Sequence, residues 1–198
     1  YNGNPDDGYH GILRYKNGIW DSVGGGLKGS GATFPRCAIV YKNELYLAGR
    51  FMKGSGNAGH NIQKWNGVTW SDVGNTNDTT DGQINSMKII DGYLYVYGAF
   101  QTVGDGSISA MSLARWDGTN WCSSKDLYQY GGTIIDVESY NNHLVIGGSF
   151  VEINGDMNLR QLARLKCDDL CSDTCNYETS PPTATDFTIY PNPSNGIF

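Results

Sequence analysis

Three stretches decide the fold: LYLAGRF at Leu45–Phe51, LYVYGAF at Leu94–Phe100 and LVIGGSF at Leu144–Phe150. Their starts lie 49 and 50 residues apart. Within them apolar residues alternate with period two, as Leu94 and Val96 do against Tyr95 and Tyr97. That is the pattern of a strand whose successive side chains point to opposite faces. A second motif recurs between them: LRYKNGIW at Leu13–Trp20, IQKWNGVTW at Ile62–Trp70 and LARWDGTNW at Leu113–Trp121. Its turn glycines, Gly18, Gly67 and Gly118, are 49 and 51 residues apart. Two independent motifs sharing one period define a repeat of about fifty residues.

Each repeat reads as four short antiparallel strands. The Asn-Gly or Asp-Gly pairs at 17–18, 66–67 and 117–118 predict tight hairpins, with both turn residues at positive φ. A strand pair follows each hairpin, turning at Lys42-Asn43, Asp91-Gly92 and Asn141-Asn142. Gly49, Gly98 and Gly147–Gly148 close the second strand of each pair, where small residues let backbones approach closely. No stretch sustains a 3.6-residue period. Four antiparallel strands per repeat is the signature of a β-propeller blade. The aromatics before each hairpin turn (Tyr15, Trp65, Trp116) and after it (Trp20, Trp70, Trp121) are expected to pack between blades. Leu162–Leu165 opens a fourth repeat without its Asn-Gly turn, and Tyr1 aligns with the loop position of Phe51 and Phe100. Propellers need about four to eight blades to close. The expectation is therefore an all-β propeller fragment, about three four-stranded blades plus part of a fourth, from a longer protein.

Composition agrees. Glycine supplies 27 of 198 residues, roughly twice the average usage of ~7%. Aromatics reach 12%, and charged residues only 17% against a typical ~25%. The net charge of −6 lacks the basic stripe that nucleic-acid binding needs, so no nucleic-acid partner is expected. No apolar run approaches the ~18 residues of a membrane helix, so no direct membrane insertion is expected.

After Cys171 the pattern changes. Residues 1–171 read as the propeller blades, 172–186 as a polar Ser/Thr/Pro linker, and 187–198, FTIYPNPSNGIF, as a strand, a turn cluster and the beginning of another strand. This last segment resembles the opening of the type A-like C-terminal sorting domain of type IX secretion substrates in Bacteroidetes. The matching residues are Tyr190, Pro191, Asn192, Pro193 and Gly196. The resemblance implies a small β-sandwich, of which only the first strand and turn are present. It also implies partners, namely the outer-membrane translocon and a shuttle protein, and a destination at the cell surface or in the medium, reached through the periplasm and outer membrane. The repeats are similar to the kelch and galactose-oxidase-like propellers of secreted bacterial proteins, which supports the fold and says little about activity.

The five cysteines are Cys37, Cys122, Cys167, Cys171 and Cys175. The last three read C-x3-C-x3-C, which leaves a metal site open, although zinc sites usually show two C-x2–4-C pairs or His partners. In an exported protein disulfides are the default, and Cys122, Cys167, Cys171 and Cys175 are the candidates, tying the last strand or linker to the propeller. His10, His60 and His143 stand alone in loops. Asp/Asn-rich loops at 4–7, 75–81 and 104–106 offer calcium ligands but no EF-hand spacing, and no cofactor is expected. The Gly-Ser-Gly tips at 29–31 and 54–56 are not nucleophile elbows, and Gly24–Gly26 opens no helix. The functional expectation is an exported type IX cargo whose non-catalytic propeller binds glycans or surface proteins through its loops. The alternative is an extracellular glycan-processing enzyme with its site on the propeller face.

Overall fold

The structure is a computed structural model that describes residues 11–29, 33–73, 82–104, 106–123, 129–130, 132–141, 143–153, 155–158, 160–166 and 176–177. The described residues are all-β, with one 3-10 turn at Lys53–Ser55. The first half of the chain holds β1 (Leu13–Lys16), β2 (Ile19–Ser22), β3 (Phe34–Tyr41), β4 (Glu44–Arg50), β5 (Ile62–Trp65), β6 (Trp70–Ser71), β7 (Gln83–Ile90) and β8 (Tyr93–Ala99). Two ribbon strands follow, β9 (Thr102–Val103) and β10 (Ile108–Ser109), then β11 (Leu113–Trp116), β12 (Trp121–Cys122) and β13 (Gln129–Tyr130). The last are β14 (Ile134–Tyr140), β15 (His143–Gly148), β16 (Glu152–Ile153), β17 (Leu162–Lys166) and β18 (Asn176–Tyr177).

Three four-stranded antiparallel sheets result, in the orders β3-β4-β5-β6, β7-β8-β11-β12 and β14-β15-β17-β18. None closes on itself. The hairpin β1–β2 stands as a separate two-stranded sheet. A sheet therefore joins a strand pair to the hairpin that follows it, half a repeat later than the sequence order of hairpin then pair suggested. The reason is local: β4, β8 and β15 each pair with the next hairpin's first strand. Two corollaries follow. Leu162–Leu165 belongs to the third sheet rather than to a fourth repeat, and Asn176–Tyr177, inside the stretch read as linker, is that sheet's last strand.

The turns divide into two kinds. Asn17-Gly18, Lys42-Asn43 and Asp91-Gly92 take positive φ at both residues, as two-residue hairpin turns require. Asn66 and Asp117 do not. Their hairpins pair Trp65 with Trp70 and Trp116 with Trp121, leaving four-residue loops. Each loop is closed by a side chain: Asn66 Oδ1 accepts from the N–H of Val68 and Thr69, and Asp117 Oδ1 from Thr119 and Asn120. The side-chain turn replaces the expected backbone turn.

The sheets pack face to face, with their first strands β3, β7 and β14 side by side. Alternation along the second strand sets the contacts. Leu94 and Val96 face the first sheet, in one buried cluster with Tyr46, Ala48, Trp116 and Trp121. Tyr95 and Tyr97 face the third sheet, with Ile134, Val137, Leu144 and Ile146. The middle sheet is thus buried on both faces, and each of its fully buried apolar side chains stabilises by ~1.5–3 kcal/mol. The hairpin β1–β2 differs: Tyr15 and Trp20 are both 60% exposed, so the expected interblade packing of these aromatics is absent there.

A repeated bulge fixes the glycines. Register shifts by one residue at Arg36, Asn85 and Ile135, opposite Gly49, Gly98 and Gly147–Gly148. A Cβ on Gly98 would lie 2.4 Å from Gln83 O and 2.6 Å from Asn85 N, and one on Gly49 would lie 2.1 Å from Phe34 O. Gly98→Ala is expected to cost about 1–3 kcal/mol in urea unfolding, because backbone must move. Gly54→Ala, which meets nothing within 4 Å at an ordinary φ, should stay within about 0.5 kcal/mol of wild type. Equal effects would contradict the packing role.

Candidate functional site

The loops leaving β4, β8 and β15 emerge at one end of the sheets on a common base. Each begins with a buried phenylalanine: Phe51, Phe100 or Phe150. Each returns through a residue at positive φ: Asn61, Ser112 or Gln161. The N–H of that residue donates to the phenylalanine carbonyl, at 2.9, 2.8 and 3.1 Å respectively. Its own carbonyl accepts from the N–H of Gly49, Gly98 or Gly148, at 3.0, 3.1 and 2.8 Å. A loop clamped at its base is free to differ at its tip, the usual arrangement of binding loops on a rigid scaffold.

Two clefts flank the first of these loops. One, of about 410 Å3, lies between the loop and the start of β7. Arg50, His60, Gln83, Thr33 and Ser55 line it. Arg36 donates to Gln83 Oε1 at 3.1 Å across the sheet junction. Asn61 holds the cleft's edge: its Oδ1 accepts from Phe51 N–H at 2.9 Å, and its Nδ2 donates to Gly82 O. The second cleft, of about 340 Å3, lies between the same loop, the segment 24–28 and the hairpin β5–β6. Trp65 and Trp70 line it, their rings 5.3 Å apart and inclined at 51°. Asn57 braces the wall, accepting from Lys28 N–H and donating to the carbonyls of Lys28 and Met52, all at 2.8–2.9 Å.

The indoles also tie neighbouring units. Trp70 Nε1 donates to Val23 O and Trp121 Nε1 to Val73 O, both at 3.0 Å. Trp116 Nε1 donates to the Tyr46 hydroxyl at 3.2 Å. The hairpin aromatics therefore grade from largely exposed in β1–β2, through half-buried at Trp65 and Trp70, to buried at Trp116 and Trp121.

A charged cluster bridges the second and third sheets. Lys88 contacts Glu138 at 2.7 Å and Asp136 at 3.5 Å, and Tyr97 donates its hydroxyl to Asp136 at 3.0 Å. The Lys88 hydrogen bond holds the Glu138 carboxyl below its ordinary range, helped by Ser139 N–H. Burial pushes Asp136 up, but the Val137 N–H, the Tyr97 hydroxyl and Lys88 outweigh it and leave it lowered. Glu138 raises Lys88 in turn.

Few of the residues singled out in the sequence fall at these clefts. Tyr190, Pro191, Asn192, Pro193 and Gly196 lie outside the described residues, as do Cys167, Cys171, Cys175, His10 and the acidic loops at 4–7 and 75–81. Cys122 is disulfide-bonded, and Cys37 is a free thiol that burial pushes up to about 11. His60 lines the larger cleft, while His143 opens β15 far from it in sequence. Among the described residues no group of three His, Cys, Asp or Glu side chains is placed to hold a metal, and no helix is long and apolar enough to cross a membrane. Sequence reading passed over Gln63, Asn57 and Asn61. For Gln63 a signal existed, since it stands two residues before Trp65 and so shares its face of the strand.

No family model, curated protein or solved structure matches this chain.

Two measurements follow. Both carboxylates have lowered values, so the stability they contribute is present at neutral pH and lost as pH falls through and below their ordinary range. Lys88→Met should lower the urea midpoint at pH 7 by the equivalent of about 0.5–1 kcal/mol, a penalty that disappears by about pH 2. A penalty independent of pH would remove the ion pairs from the account. Second, iodoacetamide at neutral pH should label the partly buried Cys37 of the native chain much more slowly in peptide mapping than that of the urea-unfolded chain. Rapid native labelling would contradict its burial.

Proposed function

We infer that the three sheets are consecutive blades of a β-propeller, and that the chain is a binding module exported as cargo of the type IX secretion system. The observation that carries the binding role is the repeated loop base. Three loops of different sequence stand on one hydrogen-bonded clamp, and the first is flanked by two clefts lined with indole, amide, hydroxyl and guanidinium groups. Such groups hold ligands by shape and hydrogen bonding, and propellers present variable loops in this way at one end of the blades. The blade reading is supported by the side-by-side first strands, the uniform strand order and the Trp ties between units. The exposed hairpin at one end, with Ile19 68% exposed, and half-buried Val145 at the other are the surfaces on which further blades would pack.

Export rests on the tail. Tyr190, Pro191, Asn192, Pro193 and Gly196 follow a Ser/Thr/Pro-rich stretch, the resemblance drawn above. The translocon and shuttle protein are the proposed partners there, and the cell surface or medium the proposed destination. Glycans or surface proteins are the proposed ligands of the loops.

The test uses a bacterial host that carries the secretion system. The chain and a variant with Tyr190, Pro191 and Gly196 all replaced by Ala are expressed, and their distribution between periplasm, cell surface and medium is measured. Wild type is expected outside the outer membrane and the variant retained in the periplasm. The same distribution for both would overturn the export reading.

A further inference from the structure

We propose that the cleft beside Trp65 and Trp70 binds a neutral pyranose unit of a carbohydrate chain, with the Gln63 amide as its buried hydrogen-bond donor. This deepens the binding-module reading and rests on it.

Gln63 carries most of the inference. It is 1% exposed, on β5, and its Oε1 accepts from Ala58 N–H at 3.1 Å. Its NH2 group makes no hydrogen bond to any described residue, yet the side chain lines the cleft. The NH2 group faces the open cleft, so it is available to a ligand there in place of water. The fold does not need an amide there. In the second and third sheets the corresponding residues are Ala114 and Ala163, paired with Val96 and Ile146 as Gln63 is with Leu47. The donor is therefore a feature of this one cleft.

The rest of the lining selects the class of ligand. Trp70 spends its indole N–H on Val23 O, and Asn57 spends its whole amide on backbone, so both build the walls. Gly24 sits at φ +58 against the rings, where a Cβ would come within 2.2 Å of Trp65. Glycine thus sets the wall close to the indole. Among the described residues the lining has no carboxylate, and Lys28 at the rim is its one charged side chain. Aromatic faces are electron-rich and attract weakly polarised C–H groups, while an amide donor needs an acceptor. A pyranose ring offers both, with C–H groups across one face and hydroxyl oxygens at its edge. The volume of about 340 Å3 lies at the small end of the ~300–1,000 Å3 of ligand pockets, suited to one or two sugar rings.

The test is a titration of the 15N-labelled chain with cellohexaose, maltohexaose, mannohexaose, laminarihexaose and xylohexaose, following its five tryptophan indole N–H signals by NMR. At least one oligosaccharide is expected to move the Trp65 signal saturably with Kd of about 1 mM or below, leaving Trp116 and Trp121 in place. Gln63→Ala, which installs the residue the other sheets carry, should weaken that binding roughly tenfold; because it also removes the acceptor of Ala58 N–H, unchanged Trp116 and Trp121 signals check that the variant is folded. No movement of the Trp65 signal by any oligosaccharide up to about 10 mM overturns the proposal. So does binding that is undiminished in Gln63→Ala or that maps to Trp20, Trp116 or Trp121 and not to the cleft. That second outcome would leave the binding-module reading standing, and export is decided separately by the tail variant.

Discussion

The structure depends on one arrangement: a strand with both faces buried at once. In β8 the residues Leu94 and Val96 point one way and Tyr95 and Tyr97 the other, and all four are buried because a sheet lies against each face. The same alternation runs through β4, where Leu47 packs toward Leu27 and Phe51 while Tyr46 and Ala48 pack toward the second sheet. The first two sheets thus each offer a leucine face to the preceding unit and a tyrosine face to the following one, while β15 carries Val145 and Gly147 at the tyrosine positions. Stacking adds hydroxyls as well as area. Tyr41 reaches Gly92 O across one junction and Tyr97 reaches Asp136 across the other.

Close packing of this kind constrains the backbone more than the side chains. The bulges at Arg36, Asn85 and Ile135 press the first strand of each sheet onto a glycine of the second, where no Cβ fits. Bulges bend a strand and raise its twist, so a bulge at the same place in every sheet gives every sheet the same curvature. From that point the loops at Phe51, Phe100 and Phe150 leave in the same direction on the same hydrogen bonds. Differences between repeats then appear at and next to the clamp, where Arg50 at the end of β4 and His60 in the loop have Ala99 and Met111 as counterparts in the next repeat.

The grading of the aromatic pairs has the same origin. Trp116 and Trp121 are buried because the first sheet covers them, and Trp65 and Trp70 are half covered by the short segment around Gly24. The identical hairpin chemistry is core in one unit and cleft wall in the next. What changes is how much of the preceding unit lies over it. The proposed carbohydrate site exists where that cover is thin enough to leave a cleft and close enough to bury Gln63.

The sequence by itself determined the repeat, the antiparallel strands and the alternation, because period two and turn chemistry are local properties of the chain. Its reading of glycines as points of close approach also survives in the backbone contacts of Gly49 and Gly98. It could not determine where one sheet ends and the next begins. Both phases of the repeat satisfy the same local pattern, and only the pairing of β4 with β5 chooses between them. The Asn66 and Asp117 loops went unforeseen because the same dipeptide serves a two-residue turn and a side-chain-closed loop, and the strand register decides. The site was less legible still. Gln63 looks like any polar residue in a strand until the tertiary structure buries most of its side chain, ties Oε1 to Ala58 N–H and turns the NH2 group toward a cleft.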